Sequence, residues 1–203
     1  MSDILNAYIA QSDDVIADTF TGEGFRCSVD LSDGTHLPCV MLRRPEKTID
    51  LALRRFKDEQ SGRGVFRTMD NGYRKVVKSF VTSGNKVSSY DIESVRPSIF
   101  AIPLELLEEI QGETFMSWTG WVFEMNDGAL FSFGTTFLFD FFSLPEKYNF
   151  SDVAKVHNHS YVGMDGTIAS IHENRESYVQ LLSSKSKQVF RERPYFKCYV
   201  DEI

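Results

Sequence analysis

The sequence predicts an α+β fold: a mainly antiparallel sheet built from four or five hairpins, with three to five short helices between them. Three observations carry this. Asp or Asn followed by Gly recurs at Asp33-Gly34, Asn71-Gly72, Asp127-Gly128 and Asp165-Gly166, and Ser83-Gly84-Asn85 adds a fifth turn. Glycine reaches positive φ without steric cost, so such pairs close hairpins when alternating residues flank them. Apolar residues recur at period two around these turns, the spacing of a half-buried strand. Helical periodicity is confined to short stretches between the hairpins, which favours α+β over a regular βαβ chain.

Taken in order, residues 3–20 carry Ile4, Leu5, Tyr8 and Ile9, then Val15, Ile16 and Phe20. They read as a helical segment that Ser12 breaks and caps anew. Phe25, Cys27, Val29 and Leu31 alternate with polar neighbours; after the turn Leu37, Cys39 and Met41 are the more apolar set, blurred by Val40 and Leu42. Matching these faces sets Leu31 opposite Thr35 across a Ser32-Asp33-Gly34 loop, and Cys27 opposite Cys39. Pro45 opens a helix to about Gln60 with Ile49, Leu53 and Phe56 on its inner side. Pro103 and Gly112 bound a short helix with Leu104, Leu107 and Ile110 inward. Around Asn126-Asp127-Gly128 the same matching pairs Met125 with Ala129, Phe123 with Phe131 and Trp121 with Phe133, and Phe137, Phe139 and Phe141 extend that face. Burial of each ring contributes roughly 2–3 kcal/mol. Val156 to Tyr161 reads as strand. Ser170-x-x-Glu173 is a capping box opening a last helix to about Ser183, and Val189 to Val200 returns to strand. No Pro- or Gly-rich linker divides the 203 residues, so one domain over 1–203 is expected, its N-terminal helical segment at about 3–20.

Composition excludes several classes. Seventeen Phe, eight Tyr and two Trp are too many aromatics for whole-chain disorder. A net charge of −7 argues against wholesale coating of nucleic acid. No apolar run nears the roughly 18–20 residues of a membrane span, and Phe137-Leu138-Phe139 is stopped by Asp140. Met1-Ser2-Asp3 lacks the basic-then-apolar layout of a secretory signal. Three cysteines without a C-x-x-C pair suit a reducing compartment. The expectation is a soluble cytoplasmic protein with no membrane partner. Its charge is uneven: residues 43–78 hold an excess of six positive charges, and the remainder an excess of thirteen negative ones. Much of the helical charge there is positioned for self-pairing, as in Asp50 with Arg54. Arg43, Arg44, Arg63, Arg67, Arg74, Lys75 and Lys78 lack an obvious local acid, and are the candidates for holding an anion or partner. Trp118 joins them as an interface anchor if no helix covers it, because it stands on the strand face opposite Trp121.

Chemistry concentrates at His157, His159 and Tyr161, which share one face of a straight strand. They are the candidate catalytic residues, imidazole being suited to acid/base work near neutrality. Two imidazoles at i and i+2 also suit a transition metal, with Asp165, His172 or Glu173 available as a third ligand. No third ligand is set by spacing, so the face is read as a polar strand side, and neither metal nor cofactor is expected. Cys27 and Cys39, with Cys198, are read as small buried hydrophobes rather than a redox or thiolate site. No G-x-S-x-G elbow, S-x-x-K or Walker loop occurs. The function expected is that of a non-enzymatic binding protein acting through a macromolecular partner, as a regulator, inhibitor or immunity-type protein. A protein partner is favoured, with nucleic acid at 43–78 the second choice. The alternatives are an enzyme on a phosphate-bearing or nucleic-acid substrate with a histidine-containing site, and a small-ligand binder using the Phe-lined sheet.

Overall fold

The computed structural model describes residues 2–18, 22–61, 86–115, 118–136, 141–173 and 186–200. They form an α+β fold dominated by sheet, with three α-helices and eleven strands among the described residues. The sheets are mixed, antiparallel pairs being joined by two parallel ones. The chain packs as two compact units: unit 1 comprises Met1–Ser98 and Tyr195–Ile203, and unit 2 comprises Ile99–Pro194. The turns at Asn71-Gly72 and Ser83-Gly84-Asn85, Phe137, Phe139 and residues 174–183 of the expected last helix lie outside the described residues.

In unit 1, α1 (Ser2–Gln11) is followed by Ser12, whose Oγ accepts the Asp14 N–H at 3.2 Å. The second half of the expected helical segment is corrected to a strand. β1 (Val15–Asp18) pairs antiparallel with the first residues of β2 (Gly22–Leu31). The β-branched Val15 and Ile16 favour extended backbone, and the free edge of β2 satisfies it. β3 (His36–Arg43) returns across Ser32-Asp33-Gly34, with the Leu31 N–H donating to Thr35 O at 2.8 Å and Gly34 at φ +84°. β4 (Ile92–Pro97) pairs with the second half of β2, and β11 (Phe196–Tyr199) runs parallel to β3.

The β2–β3 register shifts once, which overturns the expected facing of Cys27 and Cys39. Val29 faces Leu37, but Cys27 faces Val40, so Ser28 stands against both Pro38 and Cys39. Pro38 has no N–H to give the ladder, and a bulge passes over it. Its carbonyl accepts the Ser98 hydroxyl at 2.6 Å. Beyond the bulge the parity of β3 inverts. Val40 and Leu42 join Phe25, Cys27 and Val29 in a core closed by Leu5 and Ile9 of α1 and by Cys198 and Val200. The opposite face is buried too, and holds Arg26 and Arg43. Arg26 is fully buried, and its guanidinium grips the Asp14 carboxylate at 2.5 and 2.9 Å.

The inner side of α2 (Glu46–Gln60) is also corrected. Thr48 and Leu51 are buried, whereas Ile49 and Leu53 are each 43% exposed. The stem of Lys47 lies where a Cβ on Gly22 would sit, 2.9 Å from its Cδ.

Unit 2 is organised on the sheet order β10-β6-β5-β7. β5 (Thr119–Met125) and β6 (Leu130–Thr135) pair Trp121 with Phe133 and Phe123 with Phe131 around Gly128 at φ +81°. β7 (Val153–Asn158) lies on the other side of β5, and β10 (Val189–Phe190) runs parallel to β6. One face is filled by aromatic rings. Trp121 stacks on Phe133 at 5.7 Å and meets Phe142 edge-on at 5.5 Å, and Phe123 meets Phe150 at 6.2 Å. Leu106, Leu107 and Ile110, from α3 (Leu104–Glu109) and its end, pack against them. The ring that enters this cluster after β6 is Phe142, not the expected Phe141, because β6 ends at Thr135 and period-two alternation does not continue unbroken. β8 (Ser160–Val162) and β9 (Ile168–Ser170) form a hairpin, and the Val162 N–H donates to Ser132 Oγ on β6 at 2.7 Å. The strand expected over Val189 to Val200 is two strands, β10 in unit 2 and β11 in unit 1, with Pro194 between them. No helix among the described residues is long and apolar enough to cross a membrane.

Candidate binding cleft around Arg193

The three chemically expected residues do not share a strand face. β7 ends at Asn158, whose side chain accepts the Gln111 N–H at 2.8 Å and donates to Glu109 O at 2.9 Å, closing the end of α3. The next residue, His159, sits at φ +50° and turns the chain, so alternation is lost where the expected straight strand needed it. His157 Nε2 lies 2.7 Å from Glu124 Oε2 on β5. His159 Nδ1 lies 2.9 Å from Thr114 Oγ1, and that oxygen accepts the Gly120 N–H at 3.0 Å. The His159 and His172 rings are 5.1 Å apart. Burial, and then the nearby His172, holds the His159 imidazole below its ordinary pKa. Tyr161 is buried with Ile171 and Ala169. No group of three His, Cys, Asp or Glu residues placed to hold a metal ion occurs among the described residues.

The anion candidates divide as well. Arg63, Arg67, Arg74, Lys75 and Lys78 lie outside the described residues. Arg43 is buried in β3, and its Nη1 donates to Gly22 O at 2.9 Å, so it is part of the interior rather than of a docking surface. Arg44 lines a cleft of about 340 Å³ with Gly22, Glu23, Glu46 and Lys47, where two acids balance two bases. Trp118 is buried rather than offered as an anchor. Its indole lies in the slot left by Gly120 and Gly134, and the Arg191 guanidinium stands 4.8 Å above the ring. The three cysteines are buried and not disulfide-bonded, and burial pushes the Cys27 thiol far up.

A different cleft, of about 510 Å³, is assembled in unit 2 from segments distant in sequence. The Phe142 N–H donates to Phe100 O at 2.8 Å and the Arg193 N–H to Phe141 O at 2.6 Å, laying three chain segments side by side. The Tyr148 hydroxyl donates to Asp127 Oδ2 at 2.9 Å, and the Asn149 N–H to Asp152 Oδ2 at 2.8 Å, fixing the far wall. Ile99, Phe100, Leu144, Tyr148 and Phe150 give the cleft its apolar lining. Ile99 is 79% exposed. Arg193 is the cation of the site. Its guanidinium lies 3.9 Å over the Phe100 ring, and Nη1 donates to Ser143 Oγ at 2.7 Å. Its Nε is buried without a hydrogen-bond partner, and no carboxylate among the described residues pairs with it. No family model, curated protein or solved structure matches this chain.

The volume of the cleft falls within the range of sites for small ligands or a partner's side chain, roughly 300–1,000 Å³. It combines an apolar body with one fixed cation. None of its residues stood out in the sequence. Arg193 follows Arg191 and Glu192 in a mixed-charge stretch, and only the β10 and Phe142–Glu192 pairings carry it to Phe100.

Proposed function

We propose that the protein is a non-enzymatic binding protein that acts through a protein partner, in the manner of a regulator or inhibitor, and that the Arg193 cleft seats an apolar group of that partner. The observation that carries this reading is Ile99, a large aliphatic side chain 79% exposed at a cleft with aromatic walls. Interfaces are anchored by apolar groups entering such pockets, with a polar rim around them. Glu146 and Asn149, both exposed, supply that rim. Three buried cysteines outside any disulfide support a reducing, cytoplasmic setting. Among the described residues the rings of the Phe-lined sheet pack against one another, which favours the cleft over the sheet face as the binding site.

The test is quantitative capture from a cell lysate with the intact chain and with Ile99→Asp. One protein retained near equimolar amounts by the native chain, and lost from the variant, is the expected outcome. Equal capture by both chains, or no stoichiometric protein at all, sinks the reading.

A further inference from the structure

We propose that the Arg193 cleft receives the C-terminal residue of its partner, with the terminal carboxylate on the guanidinium and the residue's apolar side chain against Phe100, Leu144 and Tyr148. This rests on the docking reading above and adds the chemistry that selects the partner.

A cation beside apolar walls is costly unless an anion meets it, and Arg193 has no carboxylate partner within the described chain. It is nonetheless held in place. The stack on Phe100 and the bond to Ser143 orient the guanidinium, so little freedom is left to lose when a ligand arrives. The planar fork matches the two oxygens of a carboxylate and binds them through paired N–H donors. An Asp or Glu side chain would bring the charge but no apolar group at the same residue. A phosphate would bring a larger charge toward Glu146, the acid exposed on the same rim, and again no apolar body. A chain end with a large apolar side chain presents one negative charge and one apolar group within a single residue, as the cleft requires. Lys147, over the Tyr148 ring at 4.5 Å, adds a second cation beside the lining.

The experiment is titration of the intact protein, followed by NMR shift changes, with N-acetyl-phenylalanine, its amide, phenyl phosphate and the acetylated pentapeptide Gly-Gly-Ser-Gly-Phe bearing a free C-terminus. The acid should bind at least about tenfold more tightly than the amide, the value of one charge-assisted contact. The pentapeptide should bind at least as tightly as the single residue, and phenyl phosphate more weakly. Arg193→Gln should bring acid and amide to equal affinity. Ser143→Ala, which keeps the cation but frees it, should narrow the gap, and Glu146→Gln should widen it. Equal binding of acid and amide by the native protein overturns the inference. Tighter binding of phenyl phosphate does the same, and exclusion of the pentapeptide would assign the cleft to a free small acid instead. If those results appear while Ile99→Asp still abolishes capture, the carboxylate chemistry alone has failed; if capture is also unaffected, the docking reading has failed with it.

Discussion

Gly134 shows how one missing atom can set a local structure. A Cβ there would lie 1.8 Å from Trp118 Cζ2 and 2.5 Å from Cε2, distances no small adjustment relieves. Glycine in a strand interior ordinarily costs about 0.5–1 kcal/mol relative to alanine, so Gly134→Ala would stabilise an empty site. Here the sign reverses, because the indole must leave its slot. Overpacking alone costs roughly 1–3 kcal/mol, and exposure of the indole adds to it, so we expect a loss of about 3 kcal/mol or more. Urea unfolding should show this together with red-shifted tryptophan emission. In a Trp118→Ala background, itself destabilised by loss of the buried indole, Gly134→Ala should cost little or nothing further, and strict additivity of the two changes would contradict the slot.

At the scale of elements, one turn design is used three times. Asp33, Asp127 and Asp165 each accept, through Oδ1, the N–H two residues on, at 2.9, 3.0 and 3.0 Å, with a glycine at positive φ between. These backbone bonds, helped at Asp127 by the Tyr148 hydroxyl, hold all three carboxyls below the usual carboxylate range. A depressed folded pKa stabilises the fold above the unfolded value of about 4, and that contribution is lost as pH falls through the folded value. Asp127→Ala should therefore be less stable than the native chain at pH 7, with the gap closing as the solution is acidified below about pH 4. Urea titrations at several pH values measure it, and a gap independent of pH would refute the assignment. These turns are the most legible part of the sequence, since Asp-Gly has few other uses and the pairing of Trp121 with Phe133 follows from the turn between them. Legibility fails where a single residue changes the parity of everything after it. Pro38 does so in β3 and His159 does so after β7, and each undid an expected juxtaposition of side chains. In α2 the apolar stripe was visible, but the side that is buried, Thr48 and Leu51, is set by packing outside the helix and not by its own pattern. The Arg193 cleft was illegible for the same reason on a larger scale: its walls come from residues near 99, 143, 148 and 193, and no local pattern relates them.

For the whole molecule, the partition of the core matters most. One apolar cluster is drawn wholly from unit 1 and the aromatic cluster wholly from unit 2. The probes are partitioned in the same way. Trp118 and Trp121 both belong to unit 2, whereas Cys27, Cys39 and Cys198 all belong to unit 1. Tryptophan emission therefore follows unit 2, and thiol labelling follows unit 1. Units with separate cores are expected to melt separately, so the two signals should give different denaturant midpoints. Coincident midpoints from both probes would instead mean a single cooperative unit.

The parallel pairing of β11 with β3 has a consequence for the order of assembly during synthesis. Cys198 and Val200 complete the core begun by Leu5, Phe25 and Val40, yet all of unit 2 is translated between them. Nascent unit 1 must therefore keep an open sheet edge and an unfilled core until residues 196–200 have emerged, whereas unit 2, one continuous stretch of chain, needs nothing made after it to close.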